Sequence, residues 1–418
     1  MRLSAFGQKF TARSGILALM DDLGRALTGS EKKYMLGGGN PARISEVARL
    51  WREQMERILS EDDRFEQMVS NYDPPQGNPA FINALAELFR REYGWDIGPG
   101  NIAVTNGSQT SFFMLFNMLG GRQNDGSRRR ILLPIVPEYI GYADQTLDAE
   151  DFVSAQPRIE LIGEHRFKYR VDFAELQLGE DLAAICVSRP TNPTGNVLTD
   201  EEVYHLDEIA REHDVPLILD NAYGVPFPGM IFAPATPIWN ENIILAMSLS
   251  KIGLPSVRTG IIVAREEIIA ALCSCNAILS LANAGVGQQL VTPLIESGEI
   301  LRISSEIVRP FYESKSARAL QCIDDEFGDD LAYAVHLSEG SLFLWVWFRN
   351  ISITTMELYE RCKARNTIVV PGRYFFFGLE EDWPHRDQCI RINYGMPDED
   401  VRRGIRVIAE EARKAVIP

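Results

Sequence analysis

Short, unbroken apolar runs recur along the chain, and each ends on a polar or turn-forming residue. Ile102 to Thr105, Ile131 to Val136, Ala183 to Ser188, Val215 to Asp220, Ile243 to Met247 and Ile261 to Ala264 show no polar alternation. Strands buried on both faces read this way, so these runs predict a mostly parallel sheet with helices on both sides. The segments between them carry apolar residues at helical spacing. Val47, Leu50, Trp51, Met55, Ile58 and Leu59 follow Ser45, the expected N-cap. Asn78-Pro79 opens a helix through Ile82, Leu85 and Phe89 that Gly94 ends. An apolar helix is expected from Phe112 to Leu119, and Val401, Ile405, Ile408 and Ala412 mark an amphipathic helix at the C-terminal end. Leu342 to Phe348, Thr367 to Val370 and the alternating Cys389 to Tyr394 predict strands of a second, smaller sheet; for Arg391 a surface position on an edge strand is the plainer reading. Phe6 to Leu27 has no clean period, and Ser14-Gly15-Ile16 reads as a break. The expected fold class is α/β, with a larger unit at 51–298 and a smaller α+β unit from 1–50 plus 299–418.

The 418 residues suffice for two lobes around a large core, and 45% hydrophobic with 24% charged residues is an ordinary globular balance. A formal net charge of −16 argues against a nucleic-acid partner, which needs a clustered basic surface. The densest basic run, Arg128-Arg129-Arg130, reads as a solvated turn ahead of a strand. Six cysteines (Cys186, Cys273, Cys275, Cys322, Cys362, Cys389) have no CxxC or zinc spacing, so no metal is expected. Their scatter fits reduced thiols. The N-terminus lacks a basic region followed by an apolar core, and no apolar run approaches the ~18 residues a membrane span needs. A cytoplasmic protein without membrane contact is expected. The five histidines form no cluster.

One stretch concentrates chemistry. After the run ending at Met247 come Ser248, Ser250 and Lys251, then Arg258 seven residues later. An amine held beside a core has a lowered pKa and can attack a carbonyl. Short hydroxyl donors and a planar guanidinium suit a dianionic phosphate. A Schiff-base lysine beside phosphate ligands points to pyridoxal 5'-phosphate; an ordinary surface lysine after a strand is the plainer reading. Gly107, Ser108 and Gln109 turn from a strand into a helix, where free N–H groups make an anion site. Tyr139 or its neighbour Tyr142 offers a ring for stacking on a flat heteroaromatic. Asn192 lies in Asn192-Pro193-Thr194-Gly195, and Asp220 and Tyr223 in Asp220-Asn221-Ala222-Tyr223. An aspartate at a strand end is also a common turn residue.

The set Ser-x-Ser-Lys with a following Arg-x-Gly, Asn-Pro-Thr-Gly and Asp-x-x-Tyr resembles the class I/II aminotransferases of PLP-dependent fold type I. The resemblance runs from the Gly37-Gly38-Gly39-Asn40-Pro41 loop to Arg391. It implies that Lys251 bonds the cofactor and moves protons, that Asp220 keeps the pyridine nitrogen protonated, and that Asn192 and Tyr223 bond the ring hydroxyl oxygen. Gly107, Ser108, Gln109, Ser248, Ser250 and Arg258 are implied as phosphate ligands, and Tyr139 as the stacking ring. Arg391 would clamp the substrate α-carboxylate, beside Gly39 and Asn192. A homodimer is implied, with Tyr72 of Tyr72-x4-Gly77 reaching the phosphate in the partner subunit. Ser256 stands where many relatives have glycine, which puts that turn in question.

The implied substrates are an amino acid and a 2-oxo acid. The Gly-rich loop, Pro137 to Asp144 and Asp220 to Gly229 resemble the valine–pyruvate branch of the family beyond its general signatures. No second arginine stands at a motif position to bind a distal carboxylate. Valine and pyruvate, giving 3-methyl-2-oxobutanoate and alanine, are therefore the expected pair. Open alternatives are another aminotransferase specificity, a PLP lyase or synthase on the same fold, an aminotransferase-like regulator, which needs an added DNA-binding domain, and a non-catalytic relative, which would lose Lys251 or Asp220.

Overall fold

The computed structural model describes residues 2–12, 24, 32–148 and 150–416; the Ser14-Gly15-Ile16 break lies outside them. The apolar runs form an eight-stranded sheet. Its central order is Ile102–Thr105, Gly260–Val263, Ile243–Ser248, Leu217–Asp220, Leu182–Ser188 and Arg128–Leu133. Gly121–Arg122 and Phe152–Ser154 both pair with Arg128–Leu133. Ile243–Ser248, Leu217–Asp220, Leu182–Ser188 and Arg128–Leu133 run parallel. Gly260–Val263 is reversed against both its neighbours. Register sets the site: Ser188 pairs with Asp220 and Asp220 with Ala246, while Ser248 pairs with Gly260 and Gly260 with Thr105. The polar ends of separate strands thus meet along one edge of the sheet, where ligands of open parallel sheets bind.

The helices begin and end for local reasons. Pro79–Tyr93 starts where the Asn78 side chain accepts from the N–H groups of Ala80 and Phe81, and it stops at Gly94 in the left-handed region. Ser45–Ser60 departs from expectation: Ile44 is the extended residue before the helix, no side chain caps it, and Ser45 is already helical. The helix expected from Phe112 begins at Ser108, directly after Gly107. Asp398–Arg413 buries Val401, Ile405, Ile408 and Ala412 on one face.

A six-stranded sheet has the order Val370–Pro371, Cys389–Asn393, Phe343–Phe348, Tyr333–His336, Arg166–Arg170 and Arg158–Ile162. Its last two strands come from within 51–298, the span read as the larger unit. Cys389–Asn393 is flanked on both sides, so it is not an edge strand, and Arg391 is buried. The run Thr367 to Val370 is shared between two sheets: Thr367–Ile368 pairs with Tyr34–Met35 and Val370–Pro371 with Cys389–Asn393. Arg128, Arg129 and Arg130 are not a turn. They begin their strand, half-buried, with Arg128 on Asp148 and Asp151, Arg129 on the Leu182 carbonyl and Arg130 on Asp181.

Candidate active site

A cavity of about 360 Å³ opens at the polar edge of the large sheet, within the size range of small-molecule sites. Its lining includes Gly39, Ser108, Gln109, Tyr139, Asn192, Asp220, Tyr223, Ser248, Ser250, Lys251, Arg258 and Arg391. Most of these residues, far apart in sequence, are gathered because they stand at or just beyond the end of a strand of the large sheet, while Arg391 comes from within a strand of the second sheet. Tyr72 is not among them: its side chain is 83% exposed on its own chain.

One end of the cavity is built for an anion. Gly107 caps the helix Ser108–Leu119 at φ 85°, a conformation that favours glycine, and a Cβ there would collide with the Arg258 guanidinium. A Cβ on Gly260 would stand 2.6 Å from the Ser108 nitrogen, so this turn is packed directly on the reversed strand. The first N–H groups of a helix lack intrahelical partners and, with the helix dipole, favour an anion. Ser248 and Ser250 add hydroxyls 2.9 Å apart. Ser256 disturbs nothing: Pro255–Val257 is a short 3-10 turn, and Arg258 is the residue that enters the left-handed region, at φ 48°. The Gln109 side chain is engaged by the Gly141 carbonyl at 3.1 Å. That leaves its backbone N–H and Ser108 for the anion.

The floor carries Asp220, buried, with Oδ1 accepting from the Ala222 N–H at 2.9 Å and Oδ2 from the Tyr142 hydroxyl. Burial raises its carboxyl above the ordinary aspartate value, against those hydrogen bonds and the charge of Lys251. Tyr139 is the tyrosine that lines the cavity; Tyr142 is fully buried beneath it, edge-on at 5.2 Å between ring centroids. Gly141 has no Cβ because one would overlap the Tyr139 ring.

Lys251 and Arg391 face a loop. The Lys251 Nζ donates to the Gly39 carbonyl at 2.8 Å and lies 5.1 Å from the centre of the Tyr223 ring. Burial, followed by the charges of Arg391 and Arg258, lowers its amine to about 8. Arg391 donates at 2.7 Å to both the Asn192 Oδ1 and the Gly37 carbonyl. Its guanidinium carbon stands 4.1 Å from the Phe343 ring centre and 5.3 Å from that of Phe375. Because the Asn192 oxygen faces Arg391, its NH2 is the end left for the cavity. The buried Arg391 Nε has no hydrogen-bond partner.

These residues suit a phosphorylated heteroaromatic aldehyde. There is a donor cradle with no room for a Cβ, a ring to stack on, a carboxyl at the floor and an amine with a depressed pKa. Several neighbours of the site escape sequence reading, Ile140, Pro190 and Ala222 of the cavity wall among them. Ser188 and Phe112 line the cavity, and Glu138 lies buried next to Tyr139. The one signal for Glu138 is its standing as a lone charge between Ile131 and Gly141. Among the described residues no cluster of His, Cys, Asp and Glu could hold a metal, and no helix is long and apolar enough to cross a membrane.

Comparison with known proteins agrees with this chemistry. The family model for aminotransferase class I and II matches residues 36–408. The valine–pyruvate aminotransferase of Escherichia coli K12 is 48% identical over 415 residues, 99% of each chain. The crystal structure of a putative amino-acid aminotransferase from Psychrobacter arcticum superposes with a TM-score of 0.96 at 44% identity, covering 99% of both chains. That of valine–pyruvate aminotransferase from Salmonella typhimurium LT2 gives 0.88 at 47% identity, over 96% of this chain and 99% of that one.

Proposed function

The chain belongs to the class I and II aminotransferases, and on that premise we propose that it moves an amino group from valine to pyruvate, giving 3-methyl-2-oxobutanoate and alanine. The observation that carries the reading is the 48% identity over 99% of both chains with an enzyme of that name. The pocket supports it. Among the described lining residues the cations are Lys251, Arg258 and Arg391; Arg258 belongs to the anion cradle and Lys251 is the reactive amine. One arginine then remains for one carboxylate. Phe112, Ile140, Pro190 and Ala222 give the same cavity apolar wall. Burying a branched aliphatic side chain contributes ~1.5–3 kcal/mol without any polar partner.

Pyridoxal 5'-phosphate, the cofactor of this family, supplies the electron sink that lets an amino acid lose its α-proton. The residues that would hold it are Gly107, Ser108, Gln109, Ser248, Ser250 and Arg258 at the phosphate and Tyr139 at the ring face. Asn192 and Tyr223 would take the ring oxygen, and Asp220 would hold the proton on the pyridine nitrogen. Lys251, the amine with the depressed pKa, would be the residue that bonds the cofactor, and its Nζ would carry the proton of the substrate α-carbon. Arg391, with Asn192 beside it, orients the α-carboxylate, and the Gly37 to Asn40 loop closes over the amino acid. We further infer a cytoplasmic homodimer, in keeping with six free cysteines. In it the exposed Tyr72 reaches the phosphate held by the partner subunit.

Steady-state rates with valine, alanine, 2-aminobutyrate, aspartate and glutamate as donors test the substrate. Valine and alanine should lead. A several-fold preference for aspartate or glutamate would overturn the valine–pyruvate reading and leave the family assignment intact.

A further inference from the structure

A chain of four side chains runs behind the cavity floor, and three of them have no part in the reading above. Glu138 is wholly buried. Its Oε1 accepts from the Ser188 N–H at 2.7 Å; its Oε2 is 2.7 Å from the Ser188 hydroxyl and accepts from the Tyr139 N–H at 2.9 Å. The Ser188 Oγ lies 3.4 Å from the Tyr142 hydroxyl oxygen, and that hydroxyl donates to Asp220. The Glu138 N–H donates to the Phe375 carbonyl at 2.9 Å, so the same residue ties the floor to the wall of the second sheet.

Counting protons fixes how this chain can work. Tyr142 spends its only proton on Asp220, so its oxygen can only accept. Ser188 also has one proton, which goes either to Glu138 or toward Tyr142. A neutral Glu138 donates to Ser188 and releases the serine proton toward Tyr142, so both hydroxyls point along the chain to Asp220. An ionised Glu138 draws the serine proton back and adds a second negative charge to the same buried wall. Burial pushes Glu138 up to about 8, and the nearby Asp220 acts in the same direction against three hydrogen bonds. The titratable groups facing the network are Tyr142 on the same loop, Cys186 on the strand ending at Ser188, and Asp220 on the next strand. Lys251 is the cation that offsets Asp220.

We propose that Glu138 is a positioning residue for Asp220: it stands as a neutral carboxylic acid at the far end of the Glu138–Ser188–Tyr142 relay, orients both hydroxyls, and keeps the negative charge of the floor on Asp220 alone. The inference rests on the reading of Asp220 as the partner of the pyridine nitrogen.

Two measurements separate it from a mere structural brace. Infrared spectroscopy of the cofactor-free protein reads Glu138 directly. A neutral-carboxyl band should be present at neutral pH, vanish as the pH rises through about 8, and be missing from Glu138→Gln. If that variant fails to fold, persistence of the band in Asp220→Asn assigns it to Glu138 rather than Asp220, and absence of a titrating band overturns the proposal. Absorbance of the bound cofactor, titrated without substrate, reads the transmission to Asp220. Wild type should show an alkaline inflection near the same pH that Glu138→Gln and Ser188→Ala both remove. If the three absorbance curves superimpose while the melting temperatures differ, Glu138 is only a brace and the proposal falls. A band that titrates as expected, in a protein whose Asp220→Asn variant turns over normally, upholds the neutral acid and overturns the role given to Asp220.

Discussion

Arg391 offers the sharpest test of the site, because its surroundings let the size of the effect be worked out. It is buried on a flanked strand, held by the Asn192 Oδ1 and the Gly37 carbonyl, and placed between two phenylalanine rings. Burial lowers its pKa to about 10, still well charged at neutral pH. Arg391→Lys keeps the charge and loses the planar fork, so at least one charge-assisted hydrogen bond to the substrate goes, worth ~1.5–3 kcal/mol. That predicts a ~10- to 150-fold fall in kcat/KM for valine. Arg391→Gln also removes the charge and strands the substrate carboxylate in a desolvated pocket, a loss of ~3–5 kcal/mol or ~150- to 5,000-fold.

The assay compares valine with 2-methylpropylamine, which has the same side-chain carbons and no carboxylate. If Arg391 acts on the carboxylate, both variants lose rate with valine and keep it with the amine, with the cofactor absorbance unchanged. Equal losses with the two substrates would mean that Arg391 only supports the pocket wall. A Gln variant within threefold of wild type on valine would refute the clamp altogether.

Further outcomes follow from the same geometry. Lys251, lowered to about 8, is mostly protonated below that pH and mostly a free amine above it; only the amine attacks an aldehyde. Capture of pyridoxal 5'-phosphate by the cofactor-free protein should therefore speed up ~10-fold per pH unit below about 8 and level off above, and a flat rate from pH 6 to 9 would contradict it. Asp220→Asn should keep the cofactor but lose most turnover, since a neutral amide cannot hold the pyridinium proton by its charge; near-normal turnover would remove the electron-sink role. Mixing Tyr72→Phe with Lys251→Ala protomers places both lesions in one site of a heterodimer and leaves the other intact. Activity above either parent is expected, and no recovery in verified heterodimers, with Tyr72→Phe clearly impaired alone, rules out a shared site.

The large-sheet strands that could be read in the sequence share one property, burial on both faces, while the helices Pro79–Tyr93 and Asp398–Arg413 were read from a one-sided apolar stripe. Leu182–Ser188 and Ile243–Ser248 are buried at every position, so they appear as continuous apolar runs, and the polar residue that breaks each run is the one that reaches the cavity. Arg158–Ile162 is mostly exposed along its length. It carries charge on an open edge, which hides its membership of the second sheet. The strand start at Arg128 to Arg130 was illegible for a different reason: the countercharges Asp148, Asp151 and Asp181 that admit three arginines arrive from later segments. The burial of Arg391 was not legible because the strand that flanks it, Val370–Pro371, is two residues long. Glu138 went unread: its one signal is a lone charge in an apolar run, and its partner Ser188 lies 50 residues away. No local pattern encodes that pair.

On the proposed reading of Arg391, the glycine loop accounts for how one fixed cation would select an α-carboxylate. Its three successive carbonyls are all engaged: Gly37 by Arg391, Gly38 by the Asn393 amide at 2.6 Å and Gly39 by Lys251. The loop therefore satisfies both reactive cations with neutral acceptors. A carboxylate that replaces the Gly37 carbonyl at Arg391 exchanges a neutral acceptor for a charged one. With the carboxylate both partners are ionised and the planar fork can hold two oxygens at once, so the exchange is favourable for the α-carboxylate. A second carboxylate on the side chain meets no such exchange. Among the described lining residues, the remaining cations serve the anion cradle and the amine, and the wall is Phe112, Ile140, Pro190 and Ala222. Leaving a desolvated carboxylate there costs several kcal/mol, which exceeds the ~1.5–3 kcal/mol that separates an aliphatic side chain from none. Exclusion of aspartate and glutamate should therefore be strong, and discrimination among alanine, 2-aminobutyrate and valine only graded.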